Sequence, residues 1–371
     1  MKPHLDSLPP DMISLDDYAR LSRQFIEPAT WEWLQGGSGQ LQALKANETA
    51  FSRHAIYNRV LVDMKHGTTR SHLAGLDLAH PIALAPVGYH RLVHDQGEVA
   101  TARGALDTLM VVSTMASVAI EEIAAAAAGP LWFQLYMQPH RDDTLHLLRR
   151  AETAGCQAIV VTLDTPVQPA SHAAHKAGFV LPPHIDAVHL RENGPPPPVA
   201  LSAHGRALFQ AMMAQAPTRT DLEWLRDATA LPLIAKGISH PGDAAELLAM
   251  GYDGIVVSNH GGRALDSAPA PLTMLPAVRS ELGPDAVILF DGGVRTGSDV
   301  FKAIALGANA VLIGRPQLHA LAVAGSLGVA HMLKLLREEL ELVMALAGTP
   351  TIADITRSTL VETDYPGGSS C

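Results

Sequence analysis

The chain is poor in cysteine: only Cys156 and Cys371 occur in 371 residues. Two thiols make neither a disulfide framework nor a zinc site, so a reducing cytoplasm is the expected setting and Cys156 reads as a small core residue. Basic residues are also short, 27 Lys and Arg against 37 Asp and Glu, for a net charge of -10. That balance argues against a nucleic-acid footprint or a polybasic membrane patch and leaves small molecules as the expected partners. Residues 1–10 contain one Lys and no apolar segment, so they do not read as a signal peptide, and no apolar run is expected to span a bilayer. Histidines are more plentiful, but His172, His175, His184 and His189 lack ligand spacing and a carboxylate partner, so no metal site is expected.

What is present is a rhythm. Short, continuously apolar runs occupy residues 81–86, 109–113, 131–136, 158–164, 232–236, 254–258, 287–291 and 310–314, each ending at Gly, Pro or a polar residue. Continuous rather than alternating apolarity marks strands buried on both faces, as in a parallel sheet. Helical periodicity fills 98–107, 120–128, 142–154, 241–250 and 297–306 between them. Such alternation predicts a closed (β/α)8 TIM barrel spanning 81–325. N-terminal helices in 1–80 are expected over 14–25, 31–35 and 41–52, packed on one end of the barrel. C-terminal helices are expected in 326–360, chiefly a closing helix over 327–347, the whole forming a single domain. One connection, 166–219, breaks the rhythm with Pro182-Pro183 and Pro195 to Pro198. A loop of that length reads either as a lid over the site or as a solvated insertion.

In such a barrel the C-terminal strand ends share one surface. Here they carry Pro86, Val87 and Gly88, then Ser113, Gln134, Tyr136, Thr162, Asp164, Lys236, Ser258, His260, Asp291, Gly292, Gly293, Gly314 and Arg315. The seventh and eighth runs end in Asp291-Gly-Gly-Val-Arg295 and Ile313-Gly-Arg315, backbone N–H groups and guanidinium side chains suited to a phosphate. In Val257-Ser-Asn-His-Gly-Gly-Arg263 a titratable imidazole, His260, sits near an anion anchor, Arg263, and Asp164 is placed to support the imidazole as charge develops. Lys236 offers a fixed cation to an electron-rich group; its structural alternative is a lysine tied to a neighbouring carboxylate.

These segments, with Phe133-Gln-Leu-Tyr136, Thr162-Leu-Asp-Thr-Pro166 and Phe179-Val-Leu-Pro-Pro183, resemble the FMN-dependent α-hydroxy acid oxidases and dehydrogenases, the glycolate oxidase and lactate oxidase group. Ala85-Pro-Val-Gly-Tyr-His90 looks most like the hydroxymandelate oxidases of secondary metabolism. The resemblance covers nearly the whole chain. It implies FMN as cofactor, with Pro86, Val87, Gly88, Ser113, Gln134, Thr162, Lys236 and Ser258 around the isoalloxazine. Asp291, Gly292, Gly293, Arg295, Gly314 and Arg315 would lie around the ribityl phosphate. It further implies His260 as base, Asp164 as its support, Tyr136 and Arg263 on the substrate, and a homo-oligomer, tetramer or octamer. The electron acceptor, O2 or another, stays open because relatives carry either Ala or Gly at the position of Gly88.

Three departures bear on substrate. Trp33 stands where the family usually has a carboxylate-binding Tyr, Pro169-Ala-Ser171 where it has Gly-Arg-Arg, and Met115 where an aromatic residue is common. Each charged hydrogen bond lost to a carboxylate weakens binding by about 1.5–3 kcal/mol. The expectation is therefore a bulkier or aryl-substituted hydroxy acid rather than glycolate or lactate. The alternatives are a non-acid substrate such as an amine, peptide, ester or other masked carboxylate, or a catalytically decayed flavin-binding protein.

Overall fold

The computed structural model describes residues 2–194 and 206–363; the expected features at Pro195 to Pro198 and Cys371 lie outside the described residues. Eight parallel strands close into a barrel: β1 (Ile82–Leu84), β2 (Met110–Ser113), β3 (Leu131–Leu135), β4 (Ile159–Thr162), β5 (Leu233–Ile238), β6 (Gly254–Val257), β7 (Val287–Asp291) and β8 (Ala310–Ile313). Each pairs with its neighbour in sequence and β8 returns to β1, so all the continuous apolar runs are barrel strands. The two-residue period of a strand explains that continuity. Val111, Trp132, Val160, Ile234, Val256, Leu289 and Leu312 fill the barrel interior, while Val112, Phe133, Val161, Ala235, Val257, Phe290 and Ile313 face the helical layer. Burying one such side chain contributes about 1.5–3 kcal/mol, so neither face can be polar without loss.

Helices Gly97–Ala105, Ile120–Ala126, Arg141–Thr153, Pro241–Ala249 and Gly297–Ala305 form where periodicity places them. Two more, Arg219–Ala228 and Pro271–Leu282, join them, and the helical run that starts at Arg315 completes the ring. Helix Pro271–Leu282 opens on Pro at its first position, which needs no N–H there, yet carries Pro276 inside, masking its pattern in the sequence. A two-stranded hairpin, Ser71–Leu73 with Leu76–Leu78, contributes Leu73 and Leu78 to the interior cluster and closes the barrel's N-terminal end. Strand His54–Ile56 pairs antiparallel with Leu360–Glu362, tying the N-terminal region to the end of the described chain.

The closing helix expected over 327–347 is present as the second part of a helical run, Arg315–Ala347, that is broken at Ala324 (φ -146°) and Gly325 (φ 55°). Only Gly adopts that second conformation readily, and the His94 ring occupies the place of its missing side chain, 2.8 Å from where a Cβ would stand. The sequence expectation of no span-length apolar segment needs correction. This helix is long and apolar enough by composition, but 67% of its apolar window is buried inside the fold, as befits a core helix.

Candidate active site

Strand register assembles the site at the C-terminal barrel end. Ser113 pairs with Gln134, and Thr162 pairs with Lys236, putting polar side chains from adjacent strands side by side. Beyond Lys236 the β5–β6 pairing slips by one residue at Gly237. Gly237 has φ 93°, and a Cβ there would stand 2.4 Å from Asp164 Cγ. The bulge thus requires glycine at this point, because it is what lets the Asp164 carboxylate reach the centre of the strand ends.

After β6 the chain turns sharply. His260 (φ 58°), Gly261 (φ 61°) and Gly262 (φ 78°) all take left-handed conformations, one of them for a side chain that pays a penalty of about 1–2 kcal/mol for it. Buried hydrogen bonds hold the strain. Asn259 and Asn47 exchange amide bonds at 2.8 Å in both directions, the Gly262 N–H donates to Asn259 Oδ1, and the His260 N–H donates to Ser258 Oγ. Strain kept in place by its surroundings concentrates at functional positions.

The imidazole is oriented by a carboxylate. His260 Nδ1 lies 2.9 Å from Asp164 Oδ1, and this contact sets the tautomer: Nδ1 carries the proton and Nε2 its lone pair. The Tyr136 hydroxyl is 3.5 Å from Nε2. Burial alone would raise the Asp164 carboxyl, but His260 and then Lys236 hold it below the usual carboxylate range. Burial raises the Tyr136 phenol, which therefore stays a proton donor. An ionised Asp164 behind a neutral imidazole with Nε2 free is a base that can take a proton from a bound molecule.

Lys236 is tied to a carboxylate, the structural alternative, and still lines the cavity. Its ammonium is buried, 3.0 Å from Asp291 Oδ2 and 3.0 Å from Ser258 Oγ, and Ser258 in turn donates to Asp291 Oδ1 at 2.6 Å. Burial opposes the charge, but Asp291 and Asp164 raise the lysine above its ordinary pKa, so it remains a cation on the cavity wall. The Asp291 carboxylate is consequently spent on Lys236 and Ser258. Gly292, Gly293 and Arg295 line the cavity beside it, with the Arg295 guanidinium donating to the Val294 carbonyl and to Glu48.

A cavity of about 440 Å³ runs across this end of the barrel, within the usual range for small-molecule sites. Pro86, Val87, Gly88, Ser113, Thr162, Lys236, Asp291, Gly292, Gly293, Arg295, Gly314, Arg315, Trp33, Met115, Tyr136, His260 and Arg263 all line it. Three expected residues, Gln134, Ser258 and Asp164, are not among the lining residues; Ser258 and Asp164 act through Lys236 and His260, which they bond. Ser171 caps the short helix His172–Lys176 and packs on Gly36, away from the cavity. His189 is a core histidine, accepting from the Ile120 N–H and donating to the Thr114 carbonyl.

The cavity fits FMN on its own features. Gln134 Nε2 and Thr162 Oγ1 are buried without a hydrogen-bond partner at the strand ends, as donors awaiting a heterocycle's acceptors would be. At the opposite wall Gly314 has nothing within 4 Å of where a Cβ would stand, and it caps the Arg315–Ala347 helix, leaving room for a phosphate at that helix start.

The sequence reading missed the part played by the N-terminal helix Pro28–Gln35. Its final carbonyls bind both guanidinium groups: Arg263 Nη2 donates to the Trp33 and Leu34 carbonyls at 2.9 and 2.8 Å, and Arg315 donates to Leu34, Gly36 and Gly261. Helix C-termini attract cations, which gives the arrangement its logic. Burial pushes Arg263 down to about 10. Its guanidinium lies 5.2 Å from the Trp33 ring centroid, and Trp33 stacks on Phe179 at 5.2 Å. Asn47 and Asn259 were also missed; Asn259 stands inside the Ser-Asn-His-Gly-Gly-Arg segment, the only local signal that could have shown it.

Comparison with known proteins agrees with this geometry. The profile of a family described as FMN-dependent dehydrogenase matches residues 22–362. An L-lactate oxidase of Alicycliphilus denitrificans is 49% identical over 96% of this chain and 98% of its own length. A 4-hydroxymandelate oxidase of Amycolatopsis orientalis is 40% identical over 93% of this chain and 97% of its own. Among solved structures, a mandelate oxidase with (S)-2-phenylpropionate superposes with a TM-score of 0.84 at 39% identity, covering 94% of this chain and 98% of that one.

Proposed function

The chain belongs to the FMN-dependent dehydrogenase family and is an FMN-dependent enzyme of α-hydroxy acid oxidation, and from that premise we propose that its substrate is a 2-hydroxy acid with a bulky or aryl side chain, with His260 as the base. The observation that carries the role of His260 is its 2.9 Å contact with Asp164, which leaves Nε2 beside the Tyr136 hydroxyl in the cavity wall. FMN bound in the cavity supplies an acceptor for two electrons. In the oxidation the substrate's C–H and O–H bonds give way to C=O, and two protons leave with the two electrons.

The chain's own residues supply the rest. His260 Nε2 takes a substrate proton, and Asp164 stabilises the imidazolium that results. Tyr136 hydrogen-bonds the substrate's oxygen next to the base. Arg263 Nη2 is held by helix carbonyls, so its remaining N–H groups are the ones that grip a carboxylate. Lys236 lends positive charge where negative charge develops. Gln134, Thr162 and Ser113 hold the heterocycle, and Gly292, Gly293, Gly314, Arg295 and Arg315 hold the phosphate. The relatives named oxidases favour dioxygen as acceptor, giving hydrogen peroxide.

Support for a bulky side chain comes from the substrate end. Trp33 offers a ring face in place of a phenol, Ser171 has left the cavity, and Met115 adds apolar surface. The named relatives include both lactate and hydroxymandelate oxidases, so their names do not choose between small and aryl acids. Peroxide release under air with mandelate, glycolate and L-lactate tests the reading. We expect kcat/KM to be highest for the aryl acid; a preference for L-lactate would refute it.

A further inference from the structure

We propose that Tyr89 determines which substrate side chains the site accepts, its ring closing the apolar end of the cavity; the inference rests on the hydroxy acid reading above. Tyr89 lines the cavity and meets the Trp33 ring edge-on, with centroids 6.4 Å apart and planes at 61°. The Arg263 guanidinium lies against the same Trp33 ring. A carboxylate gripped by Arg263 therefore leaves the rest of the substrate beside Trp33, whose other aromatic neighbour in the cavity wall is Tyr89. The lining residues of segments 85–89, 113–115 and 162–168 include no charged side chain among those described. That end suits an aliphatic or aryl group.

The backbone gives a second, independent reason. Tyr89 has φ 58° and ψ 49°, the left-handed region that glycine takes readily and a large side chain does not. The loop imposes it from both sides. The Tyr89 N–H donates to the Met115 carbonyl at 3.0 Å, and the next N–H, of His90, donates to Glu98 Oε1 at 3.0 Å. Glu98 is buried and also takes the Ser117 N–H and hydroxyl, while the His90 imidazole bonds Thr101. A tyrosine kept where glycine would sit without strain, with its ring in the cavity wall, marks a position held for its side chain.

The test uses the FMN-loaded wild type, Tyr89→Phe and Tyr89→Gly, the last relieving backbone strain so that folding is not at stake. Two readouts serve: kcat/KM for lactate, mandelate and a naphthyl-substituted glycolate, and Kd of the corresponding 2-oxo acids from shifts in the flavin spectrum. Tyr89→Phe should keep the wild-type ratio among substrates. Tyr89→Gly should raise the naphthyl-to-phenyl ratio about tenfold or more, chiefly through KM, as pocket-volume changes do. An unchanged ratio in Tyr89→Gly overturns the proposal. If no free hydroxy acid reduces the wild-type flavin, the functional reading fails by itself. The 2-oxo acid titrations then decide Tyr89: a size preference altered in Tyr89→Gly supports it, and equal Kd patterns, or no binding by any of the proteins, overturn it.

Discussion

Asp164→Asn isolates the electrostatic part of the proposed base. The amide has the carboxylate's shape, and the space against Gly237 that admits Asp164 admits it equally. Its oxygen can still accept from His260 Nδ1, while its nitrogen replaces Oδ2, an atom with no hydrogen-bond partner in the structure. What disappears is a negative charge facing the imidazolium that forms as His260 takes a proton. Opposite charges about 4 Å apart at an effective dielectric of 20 attract by about 4 kcal/mol, and a hydrogen bond to a charged group contributes about 1.5–3 kcal/mol. A loss of about 2–4 kcal/mol follows, slowing the step by about 30- to 1000-fold. The assay is anaerobic stopped-flow reduction of the flavin, which separates substrate Kd from the limiting rate. Asp164 does not line the cavity, so Kd should hold while the limiting rate falls. A limiting rate within threefold of wild type, or a loss that appears in Kd, would show that the Asp164 charge does not support the base.

Other outcomes follow from the same geometry. In Gly88→Ala the added Cβ would stand 2.8 Å from Met115 Cβ and 3.0 Å from the Met115 carbonyl oxygen, so thermal melting should show destabilisation of about 1–3 kcal/mol. Because those atoms persist in alanine, adding Met115→Ala should not restore stability; full rescue would show that the clash is not the cause. Thr162→Val removes a buried hydroxyl that has no protein partner, so FMN affinity measured by fluorescence titration should fall by about two- to tenfold with the apoprotein's melting temperature nearly unchanged. On the pH axis, the Asp164 carboxyl is held below its ordinary value, so its contribution to stability is complete above about pH 4 and is lost as pH falls through the lowered folded value. Asp164→Asn should therefore flatten the acid limb of melting temperature against pH, and an identical acid limb in both proteins would contradict the assignment.

The barrel was legible because parallel strands must be apolar on both faces, and that leaves continuous runs such as Ala158 to Val161 with no competing interpretation. The polar residues ending those runs were legible for the complementary reason that a barrel gathers its strand ends. Contacts between side chains and distant backbone were not. Nothing near Arg263 or Arg315 announces that the carbonyls of Trp33, Leu34 and Gly36 will bind them, since a carbonyl is the same in every residue. Lys236 read either as a cation beside the cofactor or as a lysine tied to a carboxylate; only the closure of the barrel shows that the carboxylate is Asp291, which itself read as a cofactor ligand. The closing helix after Gly325 was legible from its apolar periodicity; the shorter helix that precedes it from Arg315 was not, because Gly314-Arg315 reads as a turn, and Gly325 separates the two beside His94.

In the proposed chemistry His260, oriented by Asp164, takes the proton of a free hydroxy acid gripped by Arg263. Anaerobic bleaching of the purified yellow protein by a panel of free hydroxy acids and their esters or amides tests it most directly, with His260→Ala alongside. We expect rapid bleaching by free acids, aryl acids ahead of glycolate and lactate, and almost none in His260→Ala. Bleaching by masked or non-acid compounds alone, or by free acids at an undiminished rate in His260→Ala, would contradict it.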